Sequence, residues 1–476
     1  MNRKVIDIVK NSAYTIISNL VALAVSVLVV LIVPKLIGVE EYGYWQLYLF
    51  YSAYVGFMHL GWNDGIYLRY GGKEYKNLDK NLFFSQFYML VFMQLVISLS
   101  VIFIALLTVS NNNRIFIVEM TALCLLIVNV RQMPLSILQG TNRIKEYANV
   151  IMIGKVLYLS VLLTFLFLGV KDYKLLIMAD IFGRFLSMLL AILYCKDIIF
   201  RKVTTFYFSL KEVASNIGVG VKLLIANISS LLIIGVVRLS IEQTWGVSTF
   251  GKVSLILSIA NLLMLFINAL GLVLFPILKR TNTNNLSNIY KNLRDFLMLL
   301  LLGLLIIHYP LKEALVTWLP EYKDSLIYLS VLFPLFLYEG KMALLINTYL
   351  KALRKEKWML NINLITLCIS LIITIINSLV IKNLDLAVLS ILILLAFRCI
   401  IGELYLSKTL DINILRDVIL ELTMTFVFIL ASWLIDSWLS MIVYTIAYLT
   451  YVIIKRKDVL LVVKNLRFLF NKDLAS

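Results

Sequence analysis

Charged residues are scarce in this chain of 476 residues. Asp, Glu, Lys and Arg together account for 15% of it, and it contains two histidines. Soluble domains carry about 25% charged and about 45–50% apolar residues, whereas 61% of this chain is hydrophobic and its mean hydropathy is +0.93. The shortage of charge excludes a soluble globular protein and predicts a chain that lies mostly in lipid.

Cysteine is also rare, and its placement excludes two kinds of site. The four cysteines lie inside apolar runs, without the spacing of a zinc site or of a disulfide framework. We therefore expect no metal centre and no disulfide. The residues concerned are four buried structural thiols: Cys124, Cys195, Cys368 and Cys399.

Two further absences concern catalysis. There is no Walker A sequence, which argues against direct ATP hydrolysis. The longest predicted cytoplasmic stretch between spans, at about residues 196–214, is too short for a catalytic domain. The sequence therefore predicts a protein that is not an enzyme and that holds no cofactor.

Long apolar segments dominate what is present. About 14 of them have the length of a membrane-crossing helix, and the first lacks a small-residue cleavage site, so it is interpreted as a retained span. We predict an all-α polytopic membrane protein with about 14 transmembrane helices. The segments lie at about residues 13–34, 44–66, 84–109, 115–138, 147–169, 174–195, 215–238, 253–278, 293–309, 325–349, 358–380, 384–406, 418–435 and 438–454.

The formal net charge of +17 is explained by topology. With the N-terminus inside, most Lys and Arg residues fall on cytoplasmic segments, as the positive-inside rule requires. Both termini are therefore predicted to be cytoplasmic, and no nucleic-acid partner is expected. After the last span, residues 455–476 interleave Lys and Arg with aliphatic residues, which predicts an amphipathic helix on the inner leaflet.

The second half of the chain repeats the first at an offset of about 210 residues. Because each repeat contains six spans, the two bundles enter the membrane in the same sense and are related by an axis along its normal. We predict a six-helix lobe at 1–208, a second at 209–410, two additional helices at 411–454 and the tail at 455–476. The matching pairs are Gly43 with Gly251, Lys145-Glu146 with Lys355-Glu356, and Arg184 with Arg398.

Seven Lys and Arg residues fall within these spans, and five of them lie in the middle third or the inner half of the membrane. Lipid does not solvate such groups, so they face a water-filled cavity or a partner helix. We expect a central hydrated cavity with surplus positive charge, suited to an anion such as a phosphate or diphosphate, which Arg grips bidentately and Lys attracts as a point charge. The candidate substrate-binding residues are Arg131, Lys155, Arg184, Lys341 and Arg398.

The acids at similar depth leave two interpretations open. Glu339 and Lys341 are two positions apart and point about 200° away from each other on a helix, so they do not pair directly. Glu339 either pairs with a cation on a neighbouring helix or couples transport to a proton or sodium ion. Asp180 either neutralises Arg184, four residues later, or serves such a coupling role. The ion-coupling or charge-pair candidates are Glu339, Asp180, Glu403 and His59, with a buried hydrogen-bonded imidazole as the default for His59.

Several motifs resemble one known family. "VPKLIGVEEYGYWQLYLFYSAYVGFMHLGWNDGIYLRYGGKEY", residues 33–75, resembles the opening signature of polysaccharide flippases, a Pro-x-Leu-x-Gly-x-x-x-Tyr-Gly turn followed by Leu-Gly, Gly and Arg-Tyr. "ILQGTNRIKEYA" and "LVLFPILKR" are similar to the family's connector after span four and its end of span eight. The resemblance covers essentially the whole chain, within the multidrug/oligosaccharidyl-lipid/polysaccharide (MOP) exporter superfamily.

The resemblance implies a function. O-antigen and capsule flippases move undecaprenyl-diphosphate-linked repeat units from the cytoplasmic to the outer leaflet of the bacterial inner membrane, by alternating access and alongside polysaccharide polymerases and glycosyltransferases. Residues 13–33 contain no ionisable side chain. The chain thus departs both from drug exporters of the superfamily, which carry an acid in that span, and from lipid II flippases, which carry a basic residue there. Those two subfamilies and a non-transport membrane scaffold are the alternatives.

Overall fold

The computed structural model describes residues 3–280, 286–435 and 437–458, and within these ranges all regular secondary structure is helical, without a β-strand. The predicted amphipathic tail lies almost entirely outside the described residues. The helices are α1 (Arg3–Leu36), α2 (Val39–Ser52), α3 (Trp62–Tyr70), α4 (Lys80–Thr108), α5 (Asn112–Gly140), α6 (Ile144–Phe167), α7 (Tyr173–Tyr194), α8 (Lys196–Ile199), α9 (Leu210–Arg280), α10 (Leu286–Leu304), α11 (His308–Trp318), α12 (Leu329–Leu332), α13 (Leu335–Lys341), α14 (Asn347–Ala352), α15 (Glu356–Ile376), α16 (Leu384–Leu410), α17 (Leu415–Leu434) and α18 (Trp438–Ile454).

The prediction of an all-α polytopic fold with about 14 spans is confirmed. Eleven helical segments of the described chain are long and apolar enough to cross a membrane. Three further predicted spans are not counted separately there. The span at 44–66 is divided between α2 and α3. The spans at 215–238 and 253–278 are merged in α9 and therefore count once. The last span corresponds to α18, which has only 17 residues.

Polar side chains at the helix starts explain where several spans begin. Asp79 Oδ1 accepts hydrogen bonds from the backbone N–H groups of the first turn of α4, and Asn111 Oδ1 does so for α5. Asp172 and Asn383 cap α7 and α16 in the same way. These caps satisfy backbone donors that have no partner within the helix, so each span has a defined first residue.

The described chain divides into two compact units. The first unit comprises Met1–Ile228 and Val247–Gly251, and the second comprises Ser229–Gly246 and Lys252–Ser476. The division falls inside α9, whose helical geometry is interrupted at Gly246 with φ 83° and ψ 174°. A positive φ of this kind is readily adopted by glycine, so the sequence marks the position where α9 kinks.

Helix α5 is the centre of the first unit. It packs against α2, α3, α4, α6 and α7, and α6 in turn packs against α1 and α7. In the second unit, α16 packs against α12, α13 and α15, and α17 packs against α12 and α18. Helices α5 and α16 are therefore each surrounded by several other helices, and each contributes charged side chains to a polar site.

The predicted span at 325–349 is not one regular helix. It is built from α12, α13 and α14, with Pro334 before α13 and a π-helical turn at Met342–Ile346 directly after Lys341. Breaks in a membrane helix free backbone groups and re-aim side chains, and they are tolerated only where protein covers them. This segment is accordingly the most buried of the candidate spans, with 89% of its apolar window inside the protein.

Two glycines of α9 provide a matched test of helix packing in the first unit. A Cβ added at Gly220 would lie 1.9 Å from the backbone oxygen of Gly61, whereas one added at Gly218 would meet nothing within 4 Å. We expect Gly220→Ala to lower the free energy of unfolding by about 1–3 kcal/mol, because the added methyl group overpacks the helix contact. Gly218→Ala is expected to be neutral or stabilising because alanine favours the helix. Thermal unfolding in detergent measures both, and equal effects would contradict the close approach.

Candidate functional site

A polar cavity of about 280 Å³ lies in the first unit, between α5, α6 and α7. It brings together three of the five predicted cations, one from each helix, and one predicted acid. The lining residues are Arg131, Gln132, Leu135, Tyr147, Ile151, Gly154, Lys155, Tyr158, Asp180, Gly183 and Arg184.

Small residues allow α6 and α7 to approach closely beside this cavity. A Cβ on Gly154 would lie 2.7 Å from Cβ of Ser187, and one on Gly183 would lie 2.8 Å from Cβ of Tyr158. The hydroxyl of Ser187 donates to the backbone oxygen of Val150 on α6 at 2.9 Å. The close packing of these two helices fixes the position of Lys155, which follows Gly154 in the chain.

Among the residues that the structure describes, Arg184 is the one cation of the cavity with a carboxylate partner. Its Nε donates to Oδ2 of Asp180 at 2.6 Å, across one turn of α7. The Tyr48 hydroxyl of α2 donates to the same oxygen at 2.7 Å. Asp180 thus neutralises Arg184, which is one of the two interpretations left open above. Tyr48 helps to orient the Asp180 carboxylate, and nothing in the sequence pattern marks Tyr48 for this role.

Arg131 and Lys155 have no carboxylate partner within the described chain. Arg131 donates from Nη1 to the hydroxyl of Ser187 at 3.1 Å, and its buried Nε has no hydrogen-bond acceptor there. Lys155 is exposed and makes no hydrogen bond or ion pair to any residue that the structure describes. With three cations against one carboxylate, the cavity lining carries a formal surplus of two positive charges.

Lys341 lies in a different environment, a buried ion network of the second unit. Its ammonium contacts both Glu403 on α16 and Glu421 on α17, the latter at 2.5 Å. Arg294 on α10 binds the same two acids and lies 2.6 Å from Glu421 through Nη2. We call these four residues the buried quartet. Each is at most 3% exposed and their charges cancel, so Lys341 and Glu403 are held by protein partners.

Arg398, also in the second unit, is bound on three sides. Its guanidinium donates from Nη1 to Glu339 at 3.0 Å, from Nε to Asn363 Oδ1 at 2.9 Å and from Nη2 to the hydroxyl of Ser230 at 2.8 Å. Glu339 therefore pairs with a neighbouring helix, one of the two predicted outcomes. The broken span directs Glu339 to α16 alone and Lys341 to α16 and α17, which explains how one segment carries both charges.

Ion pairs continue from the buried quartet toward a wider cavity of about 680 Å³ in the same unit. Lys455, just beyond α18, contacts Asp295, Asp417 and Asp458 at 2.8–2.9 Å. Burial disfavours its charge, but the hydrogen bonds to these carboxylates keep the pKa of Lys455 above its ordinary value. The cavity lining combines acids and bases, without the one-sided charge of the first unit's cavity.

His59 is a buried, hydrogen-bonded residue, in agreement with its default interpretation. Its Nδ1 accepts a hydrogen bond from the backbone N–H of Gly61 at 3.0 Å, and Asp64 lies 4.0 Å from its Nε2. The structure does not place His59 in the cationic cavity. Among the described residues no cluster of three or more His, Cys, Asp or Glu has the arrangement of a metal site, and the four cysteines are free, with Cys368 exposed rather than buried.

Comparison with known proteins supports the fold. No family model and no curated protein matches the chain. A solved structure of the lipid II flippase MurJ in an inward-closed conformation is similar with a TM-score of 0.64 at 17% identity, covering 94% of this chain and 99% of that one. An inward-facing multidrug resistance MATE family transporter of the MOP superfamily gives 0.55 at 14% identity, over 83% and 94%. A MOP superfamily transporter from Pyrococcus furiosus gives 0.53 at 12% identity, over 84% and 96%. The chain has the fold of MOP superfamily transporters.

Proposed function

We propose that the chain is a flippase for a lipid-linked oligosaccharide, whose diphosphate binds in the cavity of the first unit. The observation that carries the proposal is the difference in charge between the two units. Arg131 and Lys155 lack a carboxylate partner in the described chain. By contrast, Lys341 and Arg398 in the second unit are bound to glutamates. Binding an anion would compensate the surplus in the first unit, whereas Lys341 and Arg398 already have carboxylate partners.

The size of the cavity supports a headgroup fragment as ligand. A volume of about 280 Å³ is at the lower end of small-molecule sites. It suits a diphosphate, with Arg131 and Arg184 as bidentate donors and Lys155 as a point charge. The polyprenyl chain would stay in the bilayer, and alternating access would expose the headgroup to each side in turn.

We place this activity in the bacterial inner membrane, with both termini of the chain cytoplasmic. There the protein would act together with a polysaccharide polymerase and glycosyltransferases. A lipid II flippase is a second candidate, because the similarity to the lipid II flippase MurJ extends over 99% of that chain. The lack of a basic residue in residues 13–33 argues for the repeat-unit substrate instead.

For ion coupling, the contacts support Glu339 rather than Glu403. Both oxygens of Glu403 are engaged by Arg294 and Lys341, and its side chain is 1% exposed. Glu339 is 23% exposed and, within the part of the chain that the structure describes, makes a single ion pair, through one oxygen, to Arg398. A proton or a sodium ion would reach Glu339 more easily, so we propose Glu339 as the coupling residue.

Reconstitution tests the proposal directly. Vesicles with the purified protein would receive one fluorescent oligosaccharide joined to the same polyprenol through a diphosphate, a monophosphate or a neutral linkage. A membrane-impermeant glycosidase measures outer-leaflet exposure with and without imposed proton and sodium gradients. We expect fast translocation of the diphosphate lipid only, and equal rates for the neutral lipid would contradict an anion site. Failure of Glu339→Gln to change the gradient dependence would remove the coupling assignment alone.

Asp180 is expected to compete with the substrate for Arg184. Replacement by Asn removes the competing charge, so Asp180→Asn should bind inorganic pyrophosphate roughly tenfold more tightly, equivalent to about 1.4 kcal/mol. Translocation should become slower, since a carrier must also release its ligand. Competition by pyrophosphate in the vesicle assay measures both. Tyr48→Phe, which removes one hydrogen bond but no charge, is the control, and a similar gain in that variant would contradict competition by charge.

A further inference from the structure

The segment that joins α7 to α9, residues 196–211, exposes large apolar side chains; we call it the connector. Phe200 is 65% exposed, Val203 83%, Phe208 76% and Leu210 67%. Several large apolar side chains exposed together on one short segment mark a surface that is covered by a partner or by lipid.

The connector is held in place by hydrogen bonds to α4. The backbone N–H of Tyr207 donates to the hydroxyl of Ser85 at 3.1 Å, and the amide of Gln86 donates to the hydroxyl of Ser209. Phe206 adds an edge-on contact to Phe84 at 6.4 Å between ring centres. The exposed side chains are thus presented on a fixed backbone.

Basic residues flank the exposed apolar ones without protein counter-charges. Lys196, Arg201, Lys202 and Lys211 form no ion pair with any residue that the structure describes, and Nε of Arg201 has no acceptor there. Four positive side chains therefore lie beside four exposed apolar ones, all on the same short segment.

The two acids nearest to these cations in sequence are already engaged. Asp197 binds Lys80 and Tyr75, each at 2.6 Å, and these bonds keep its pKa below the ordinary value although burial opposes ionisation. Glu212 binds Arg69 at 2.6 Å. The charge that the connector presents outward is therefore positive.

We propose that the connector binds anionic phospholipids of the inner leaflet, with its apolar side chains at the boundary of the acyl chains and its cations among the headgroups. It begins two residues after α7 ends and reaches the start of α9, both of which are candidate spans, so it lies where the chain leaves the hydrocarbon. Aromatic and basic residues are favoured at that depth, and an anionic leaflet complements the charge. The proposal rests on the predicted orientation and is independent of the transported substrate.

A spin label on the full-length protein tests this. Val203→Cys would be labelled in a chain that also carries Cys368→Ala, and reconstituted in phosphatidylcholine vesicles with or without phosphatidylglycerol. We expect accessibility to a neutral water-soluble nickel relaxer to fall several-fold when phosphatidylglycerol is present. Adding Arg201→Gln and Lys202→Gln should abolish that dependence on lipid charge, and Phe200→Ser with Phe208→Ser should raise accessibility in both kinds of vesicle.

Lys171→Gln with Lys174→Gln is the matched control, because it removes two charges elsewhere, one from the loop between α6 and α7 and one from the first turn of α7. It should leave the label's lipid dependence unchanged. A label equally accessible to the nickel reagent in both vesicles would overturn the proposal. Protection that appears only after a cytosolic extract is added would do so too, because it would identify a protein partner instead. Neither readout requires translocation, so the outcome is separate from that of the proposed function.

Discussion

Removing both unpaired cations of the first unit's cavity, in the double variant Arg131→Gln/Lys155→Gln, is expected to abolish translocation of the diphosphate lipid while the protein stays folded. A charge-assisted hydrogen bond contributes about 1.5–3 kcal/mol. Two of them correspond to about 3–6 kcal/mol, or roughly two to four orders of magnitude in affinity. The folded state should tolerate the change, because neither side chain neutralises a carboxylate of the described chain.

The measurement is leaflet exposure in the vesicle assay, beside thermal unfolding of the same preparation. Lys222→Gln is the control, since Lys222 is exposed on α9 and does not line the cavity. Translocation by the double variant at the rate of the unmodified protein would refute the cavity as the substrate site. A membrane scaffold would be indifferent to both changes, so the same comparison separates the two classes of function.

Lys341→Met is expected to cause the largest loss of stability. It leaves Glu403 and Glu421 buried with Arg294 as their one remaining cation in the quartet. Removing one partner from a buried ion network costs about 3–5 kcal/mol. For a unit of this size that lowers the unfolding temperature by roughly 6–20 °C.

A second substitution distinguishes a structural from a substrate-binding role for Lys341. Lys341→Met combined with Glu421→Gln removes one charge of each sign and keeps the pair of Arg294 with Glu403, so it should recover most of the lost stability. Lys357→Met, at an exposed position of α15, should change little. If Lys341→Met instead unfolded normally but lost translocation, Lys341 would be a substrate ligand after all.

The sequence predicts the spans well because the bilayer imposes them. A membrane-crossing helix must be long and apolar, and any cation inside it stands out against that background. Arg131, Lys155 and Arg184 were found on this basis, and the structure brings all three to one cavity. Helix boundaries followed the same logic: α9 kinks at Gly246, between the predicted spans at 215–238 and 253–278.

The pairing of charges was not predictable, because partners lie far apart in the chain. Arg294 contacts Glu403 across 109 positions, and Lys341 contacts Glu421 across 80. Arg294 was missed because it stands at the first turn of its predicted span, where a cation is ordinarily solvated at the interface. Tyr48 and Ser187 carry no charge, so no signal in the sequence distinguished them from the many other hydroxyls.

The buried quartet also has a consequence for biosynthesis. Arg294 and Lys341 leave the ribosome before either of their acids, and Glu421 follows Lys341 by 80 residues. At about 5–20 residues per second, that interval lasts about 4–16 s. During it, Arg294 and Lys341 lack one or both glutamates of the quartet while their helices already belong in lipid. The negative charges on α16 and α17 therefore become available late. Until α17 has been synthesised, the insertion machinery must keep Arg294 and Lys341 away from the lipid.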